Sequence, residues 1–170
     1  MRNSKEKRES LLRYLQRLTD EQQGERSHES LQQQCFAVLK QLGKRADVLH
    51  AHLLAIRKPG GFEPSVSLLA EWSQRSLPEI GPGLQNVSLT YLGSTAVEAL
   101  LSGTIVLTSL NETSNACSKL VSGMLRELGV SGYEMIPIVI RNRLAGIIGL
   151  AHNGGPDHLD DERRLLIQLI

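Results

Sequence analysis

Between Met135 and Leu150 two aliphatic runs, MIPIVI and LAGIIGL, stand on either side of Arg141, Asn142 and Arg143. Both are far too short to cross a bilayer, which takes about 20 apolar residues. They read as the strands of a hairpin, apolar on both faces and therefore covered on both sides. Pro137 in the first run has no N–H to give to a sheet ladder.

Upstream the pattern changes period. Leu11, Leu12, Leu15 and Leu18 recur among charged residues over 4–18, an amphipathic helix. Residues 20–29 carry no apolar side chain and contain Gly24, which marks a linker or a weak point in a longer helix. From Ser27 the stripe resumes with Leu31, Cys35, Val38 and Leu42. Phe36 and Leu39 widen it, which predicts a seam for a partner helix beside a face for the chain's own core. Residues 48–56 and 65–72 read as two strands joined by the Pro-Gly-Gly turn after Lys58. Pro78, Gly81, Pro82 and Gly83 break up residues 75–92 into an irregular cover. A short helix follows Thr95 and ends at Gly103, and Thr104 to Leu110 form a strand. A helix then opens at Asn111 and closes at Gly129, ahead of the hairpin. Asp160 or Asp161 caps a last helix, Glu162 to Ile170.

The order of elements predicts an α+β fold. Five or six strands make a central antiparallel sheet. The terminal helices pack on one face, and loops and short helices cover a pocket on the other. Residues 1–26 are an N-terminal amphipathic helix and linker, and 27–170 the domain. The last helix stops in mid-pattern at Leu169 and Ile170, the expectation for a piece of a longer signalling chain.

Composition narrows the function. Hydrophobic residues make up 41% of the chain, enough for a core, but aromatics only 4%. Lys and Arg number 19 against 18 Asp and Glu, so no basic field favours nucleic acid or an anionic membrane. The N-terminus is charged with no apolar signal segment, and two cysteines are too few for a disulfide framework. A cytoplasmic, reduced setting follows.

The stretch LRELGVSGYEMIPIVIRNRLAGIIGLAH from Leu125 to His152, continued by DERRLLIQLI from Asp161, resembles the C-terminal half of a GAF domain. A helix ending in Gly-Val, a strand with Pro-Ile, a short basic turn, Leu-x-Gly-x-x-x-Leu and an acid-capped helix rich in Leu carry the likeness. The resemblance spans about 27–170 and is weakest over 75–95. It implies a PAS-like sensory module that binds a small molecule, dimerises, or both, and controls a linked effector such as a kinase or a cyclic-dinucleotide enzyme.

Period-two alternation puts His50 and His52 on one face of their strand. The GAF layout implies that His152 joins them. Such a set suits a metal or haem iron, or hydrogen bonds to a ligand, although no carboxylate or cysteine stands at ligand spacing. The ordinary alternative is histidines satisfied by backbone groups or by solvent. Cys117 and the Ala151-His152 pair match positions that bilin-binding relatives use. Ser118 after the cysteine, Ala145 in the hairpin and the scarcity of aromatics depart from that pattern, so the cofactor stays open. Trp72, Tyr91, Leu107, Ser109, Asn111 and Tyr133 complete the candidate pocket that the resemblance implies, each with an ordinary packing role as the alternative. Asn111 also suits a helix cap.

A catalytic role finds no support. No nucleophile elbow, phosphate loop or paired-carboxylate site is present, and Cys35 on the opening helix is poorly placed to partner a second thiol. The expectation is a regulatory domain without catalysis or a bound metal. Its partners are an unidentified small molecule, a second copy and a linked effector. The alternatives are a dimerisation module without ligand and a bilin photosensor.

Overall fold

The computed structural model describes residues 26–57, 63–74, 77–109 and 118–153. The helices expected at 4–18 and 162–170, the turn after Lys58, Asn111 and Cys117 lie outside these residues. Helix α1 spans Arg26–Arg45, strand β1 His50–Arg57 and β2 Ser65–Ser73. Two 3-10 turns, Gly81–Leu84 and Leu89–Leu92, flank the two-residue β3, Val87–Ser88. Then come α2 (Ser94–Leu101), β4 (Val106–Ser109), α3 (Lys119–Leu128), β5 (Gly132–Ile140) and β6 (Arg143–His152). The six strands pair antiparallel in the order β3-β2-β1-β6-β5-β4.

Only one strand of the aliphatic hairpin is central: β6 lies inside the sheet, whereas β5 stands next to the edge strand β4 and its end at Val139 is 43% exposed, not covered on both faces as expected. β5 and β6 pair from Gly132 opposite His152 to Ile140 opposite Arg143. Their two-residue turn places Arg141 at φ 51° and Asn142 at φ 60°. Left-handed geometry at both positions gives the twist that matches the flanking strands. Asparagine tolerates it, whereas a non-glycine residue such as Arg141 pays roughly 1–2 kcal/mol there. β6 lies between β5 and β1, and every side chain from Leu144 to His152 is buried. β4 pairs with β5 only as far as Met135, so the outer side of β5 is open at Pro137, where a missing N–H leaves no gap in a ladder. Ala145 is a bulge: Ile138 pairs with Gly146 and Val139 with Leu144. The extra residue breaks the alternation, so that Ala145 and Ile147, two apart, enter opposite cores.

One core joins α1 to the sheet through Cys35, Leu39, Leu42 and Ala46 against Leu53, Trp72, Ile148 and Leu150. Gly43 lets the Trp72 ring lie on the helix backbone, since a Cβ at Gly43 would collide with the indole. The second core fills the other face. It joins Leu54, Met135 and Ile147 to Leu100 of α2, Leu125 of α3, and Ile80, Leu84, Leu89 and Leu92 of the irregular segment. α3 is capped by Ser118, whose Oγ accepts from Val121 N–H at 3.3 Å. It ends at Gly129, left-handed at φ 64°.

The helix seam is corrected by this packing. Cys35 (1% exposed) and Leu42 (3%) are internal to the chain's own core, and Val38 is packed against it, so they present no seam to a partner. Leu31 lies in α1 with its side chain outside the described set. Stripe and core face are one surface here, because β1 and β2 take up the apolar side that a partner helix would need. Burial also pushes the Cys35 thiol up to about 12, so it stays protonated and inert. Leu42→Glu is therefore expected to unfold the domain and not merely to separate a dimer. A loss of about 3–5 kcal/mol, as for other buried charges without partners, should show as a collapse of the urea midpoint. A folded, monomeric variant would restore the seam.

Candidate functional site

Strand register decides which candidates meet. His50 stands opposite Ala151, which stands opposite Tyr133, and His52 stands opposite Gly149 on one side and Glu71 on the other. Residues opposite one another across an antiparallel sheet share a face. His50, His52, Glu71 and Tyr133 thus converge on the face covered by α2, α3 and the irregular segment. Gly149 of β6 lies between His52 and Tyr133 and leaves the space above it free. A Cβ there would collide with both His52 Nε2 and Tyr133 Oη.

The four side chains form one hydrogen-bonded chain. Tyr133 Oη is 2.6 Å from His52 Nε2, His52 Nδ1 is 3.4 Å from His50 Nδ1, and His50 Nε2 is 3.3 Å from Glu71 Oε2. Ile80 N–H donates to the same carboxylate oxygen at 3.1 Å. His50 and His52 are 1% and 0% exposed. Burial lowers the pKa of both. Glu71 partly opposes this at His50, and the neighbouring His50 adds to it at His52. Both rings are neutral, each with one N–H, which fixes the direction of every bond. The carboxylate can only accept, so His50 carries its proton on Nε2 and its Nδ1 is bare. His52 must then donate from Nδ1, its Nε2 is bare, and Tyr133 donates into it.

The other candidates lie elsewhere. Trp72 is opposite Ala51 and packs against α1. His152 is opposite Gly132, so it joins Glu134 on the α1 face, with Nε2 3.7 Å from Glu134 Oε1. Gly132 makes room for that ring, which a Cβ would strike. Leu107 and Ser109 alternate onto that same face, and their neighbour Thr108, opposite Tyr133, is the β4 residue on the histidine side. Tyr91, in the second 3-10 turn, is 63% exposed. The convergence of three histidines is corrected accordingly: two meet, and the third is one residue out of phase. Glu71, Thr108 and Gly149 were not singled out from sequence, although Glu71 is the sole charged residue of β2.

No family model and no curated protein matches the sequence. Solved structures do match by shape. The GAF domain of PixJ from Thermosynechococcus elongatus, in its blue-light absorbing form, superposes with a TM-score of 0.63 at 17% identity, covering 86% of this chain and 83% of that one. The phycocyanobilin-bound GAF domain of a cyanobacterial phytochrome gives 0.60 at 16%, covering 95% and 87%. A domain of a putative two-component sensor histidine kinase from Sinorhizobium meliloti 1021 gives 0.55 at 14%, covering 78% and 80%. The fold is that of a GAF domain. The matching GAF structures include a blue-light absorbing form and a phycocyanobilin-bound domain, and the kinase match is a domain of a putative sensor histidine kinase.

Among the described residues, the histidine-bearing face is closely packed and its imidazoles are already engaged. Leu54, Leu125, Met135 and Ile147, each at most 1% exposed, fill the space between the sheet and its helical cover. A linear tetrapyrrole would have to displace them. All four imidazole nitrogens of His50 and His52 are engaged, which leaves none for a metal. Among the described residues, no set of three or more His, Cys, Asp or Glu side chains is arranged to hold one. No helix among them is long and apolar enough to cross a membrane.

Proposed function

We infer that this chain is a regulatory, non-catalytic sensory domain that responds to a small molecule at the histidine-bearing face and passes the response to a linked effector. The observation that carries this reading is the buried chain from Tyr133 to Glu71 beneath an irregular cover. Buried polar groups are costly unless they are satisfied, and an aliphatic core has no packing need for two neutral imidazoles. Likeness to photosensory and sensor-kinase domains supports the regulatory class. The ligand is smaller than a tetrapyrrole and polar enough to engage the Tyr133 phenol at the end of the chain. It acts by binding two conformations of the domain unequally.

The packed aliphatic face favours a second reading, a homodimerising module without ligand. Such a dimer would use the outer side of α1, where Phe36 is 44% exposed, because the inner stripe is occupied. The two readings separate on the purified 170-residue chain. Mass spectrometry for a co-purified compound, and melting curves against panels of small polar ligands, should show binding that raises Tm and is lost in His52→Phe. A ligand whose Tm shift survives that substitution counts against the site. Dimerisation abolished by Phe36→Glu, with no ligand found, supports the second reading.

A further inference from the structure

Besides the pairing of β3 with the start of β2, side chains tie the segment Leu77–Leu92 to β2 at three places. Asn86 N–H donates to Ser67 Oγ at 3.1 Å, and Ser67 Oγ donates back to Asn86 Oδ1 at 3.2 Å. Gln85 Nε2 donates to the Leu68 carbonyl at 3.2 Å. At the third place Ile80, buried ahead of the first 3-10 turn, donates its N–H to Glu71. The first two ties end on β2. The third alone continues inward, because the Glu71 oxygen that takes the Ile80 N–H also takes the proton of His50. The cover and Tyr133 on the far side of β6 are thus the two ends of one hydrogen-bonded series.

We propose that Tyr133–His52–His50–Glu71 is a conformational latch, which couples hydrogen bonding at Tyr133 to the docking of the 77–92 segment at Ile80. It has two settings. In the observed setting every donor points from Tyr133 toward Glu71, and the carboxylate receives two N–H groups. If the Tyr133 hydroxyl turns to another acceptor, His52 Nε2 is left bare and buried. The relief is a tautomer shift made by proton exchange with water during local opening: His52 releases its Nδ1 proton, takes one up at Nε2 and donates that N–H to Tyr133 Oη as a hydrogen bond. His50 then moves its own proton from Nε2 to Nδ1 to serve the bare His52 Nδ1. Each ring keeps one proton, and no charge is gained or lost. The consequence falls on Glu71, whose carboxylate now faces a bare nitrogen, so its hold on Ile80 weakens. This latch is a property of the chain itself and stands whether or not the sensory reading above holds.

Histidine nitrogen NMR and amide exchange on the 170-residue chain test it. In the wild-type protein His52 should be the Nδ1–H tautomer and His50 the Nε2–H tautomer. Glu71→Gln offers an amide N–H to His50 and its oxygen to Ile80, and it should switch both rings, His52 included. Exchange of the Ile80 amide should rise about tenfold in Glu71→Ala, the loss of one bond to a charged acceptor. It should rise at least about threefold in Tyr133→Phe, which touches neither Glu71 nor Ile80. A wild-type His52 protonated on Nε2, a His52 unmoved by Glu71→Gln, or Ile80 exchange indifferent to Tyr133→Phe would each overturn the proposal. The wild-type tautomers decide the matter even where a variant fails to fold.

Discussion

Stability of this domain should fall steeply as the pH drops below about 6.5, before most carboxylates titrate. His50 and His52 are buried and neutral, and burial lowers the pKa of each below the ordinary 6.5. In the unfolded chain both take up protons near 6.5, whereas the folded chain refuses them until the pH is lower. Their contribution is therefore complete above 6.5 and is lost as the pH falls toward the folded values, because the unfolded state binds more protons. Two protons give a limiting slope of about 2.7 kcal/mol per pH unit, since each contributes 1.36. His52 should carry the larger part, because the Glu71 carboxylate favours a charge on His50 and His50 opposes one on His52. The groups facing these rings among the described residues are Glu71 of β2 and Tyr133 of β5, together with each other. Urea midpoints at pH 7.5, 6.5 and 5.5 measure the slope. His52→Gln should remove more than half of it between 6.5 and 5.5, and an identical slope in that variant would show that the imidazole is not refusing protons.

Most of the architecture was legible because it rests on local signals. The hairpin declared itself through two aliphatic runs around a basic turn, and burial on both faces required a central position, which β6 occupies between β1 and β5. The register across strands was not legible. His152 was grouped with His50 and His52, yet in antiparallel pairing one residue of offset reverses the face, and the partner of His50 is Ala151. The same single-residue phase separates Thr108 from Leu107 and Ser109 on β4. Trp72 was misplaced for a different reason. Its ring suits a ligand pocket as well as a helix contact, and the bare backbone at Gly43, which decides between them, is distant in sequence. Glu71 was passed over because one charge in a strand reads as a solvent-facing position, and its buried histidine partner becomes visible only when β1 and β2 are side by side. A hydrophobic stripe on α1 likewise says that a partner exists and not whether that partner is a second helix or the chain's own sheet.

Gly149→Ala should destabilise the domain by about 2–4 kcal/mol, although alanine ordinarily strengthens a strand interior relative to glycine. The cost comes from what the new methyl group meets. Both His52 Nε2 and Tyr133 Oη lie within the space it would take, and both rings are fixed, His52 by Gly149 beneath and His50 beside it, Tyr133 by its burial at 2% exposure. Moving either ring breaks the 2.6 Å hydrogen bond and leaves a buried polar atom unsatisfied, a penalty of about 1–3 kcal/mol over and above the overpacking. Gly123→Ala is the matched comparison. It lies in α3 with nothing within 4 Å of a Cβ, so alanine should there stabilise by about 0.5–1 kcal/mol through helix propensity alone. Opposite signs for these two substitutions, measured as shifts in the urea midpoint at unchanged m-value, are the expected result. The Gly149 variant should also lose the Nδ1–H signature of His52, because without the Tyr133 donor nothing holds that ring in its less common tautomer. A neutral or stabilising effect at Gly149 would mean that the sheet has slack over β6, and the contact between His52 and Tyr133 would then not constrain the face it lies on.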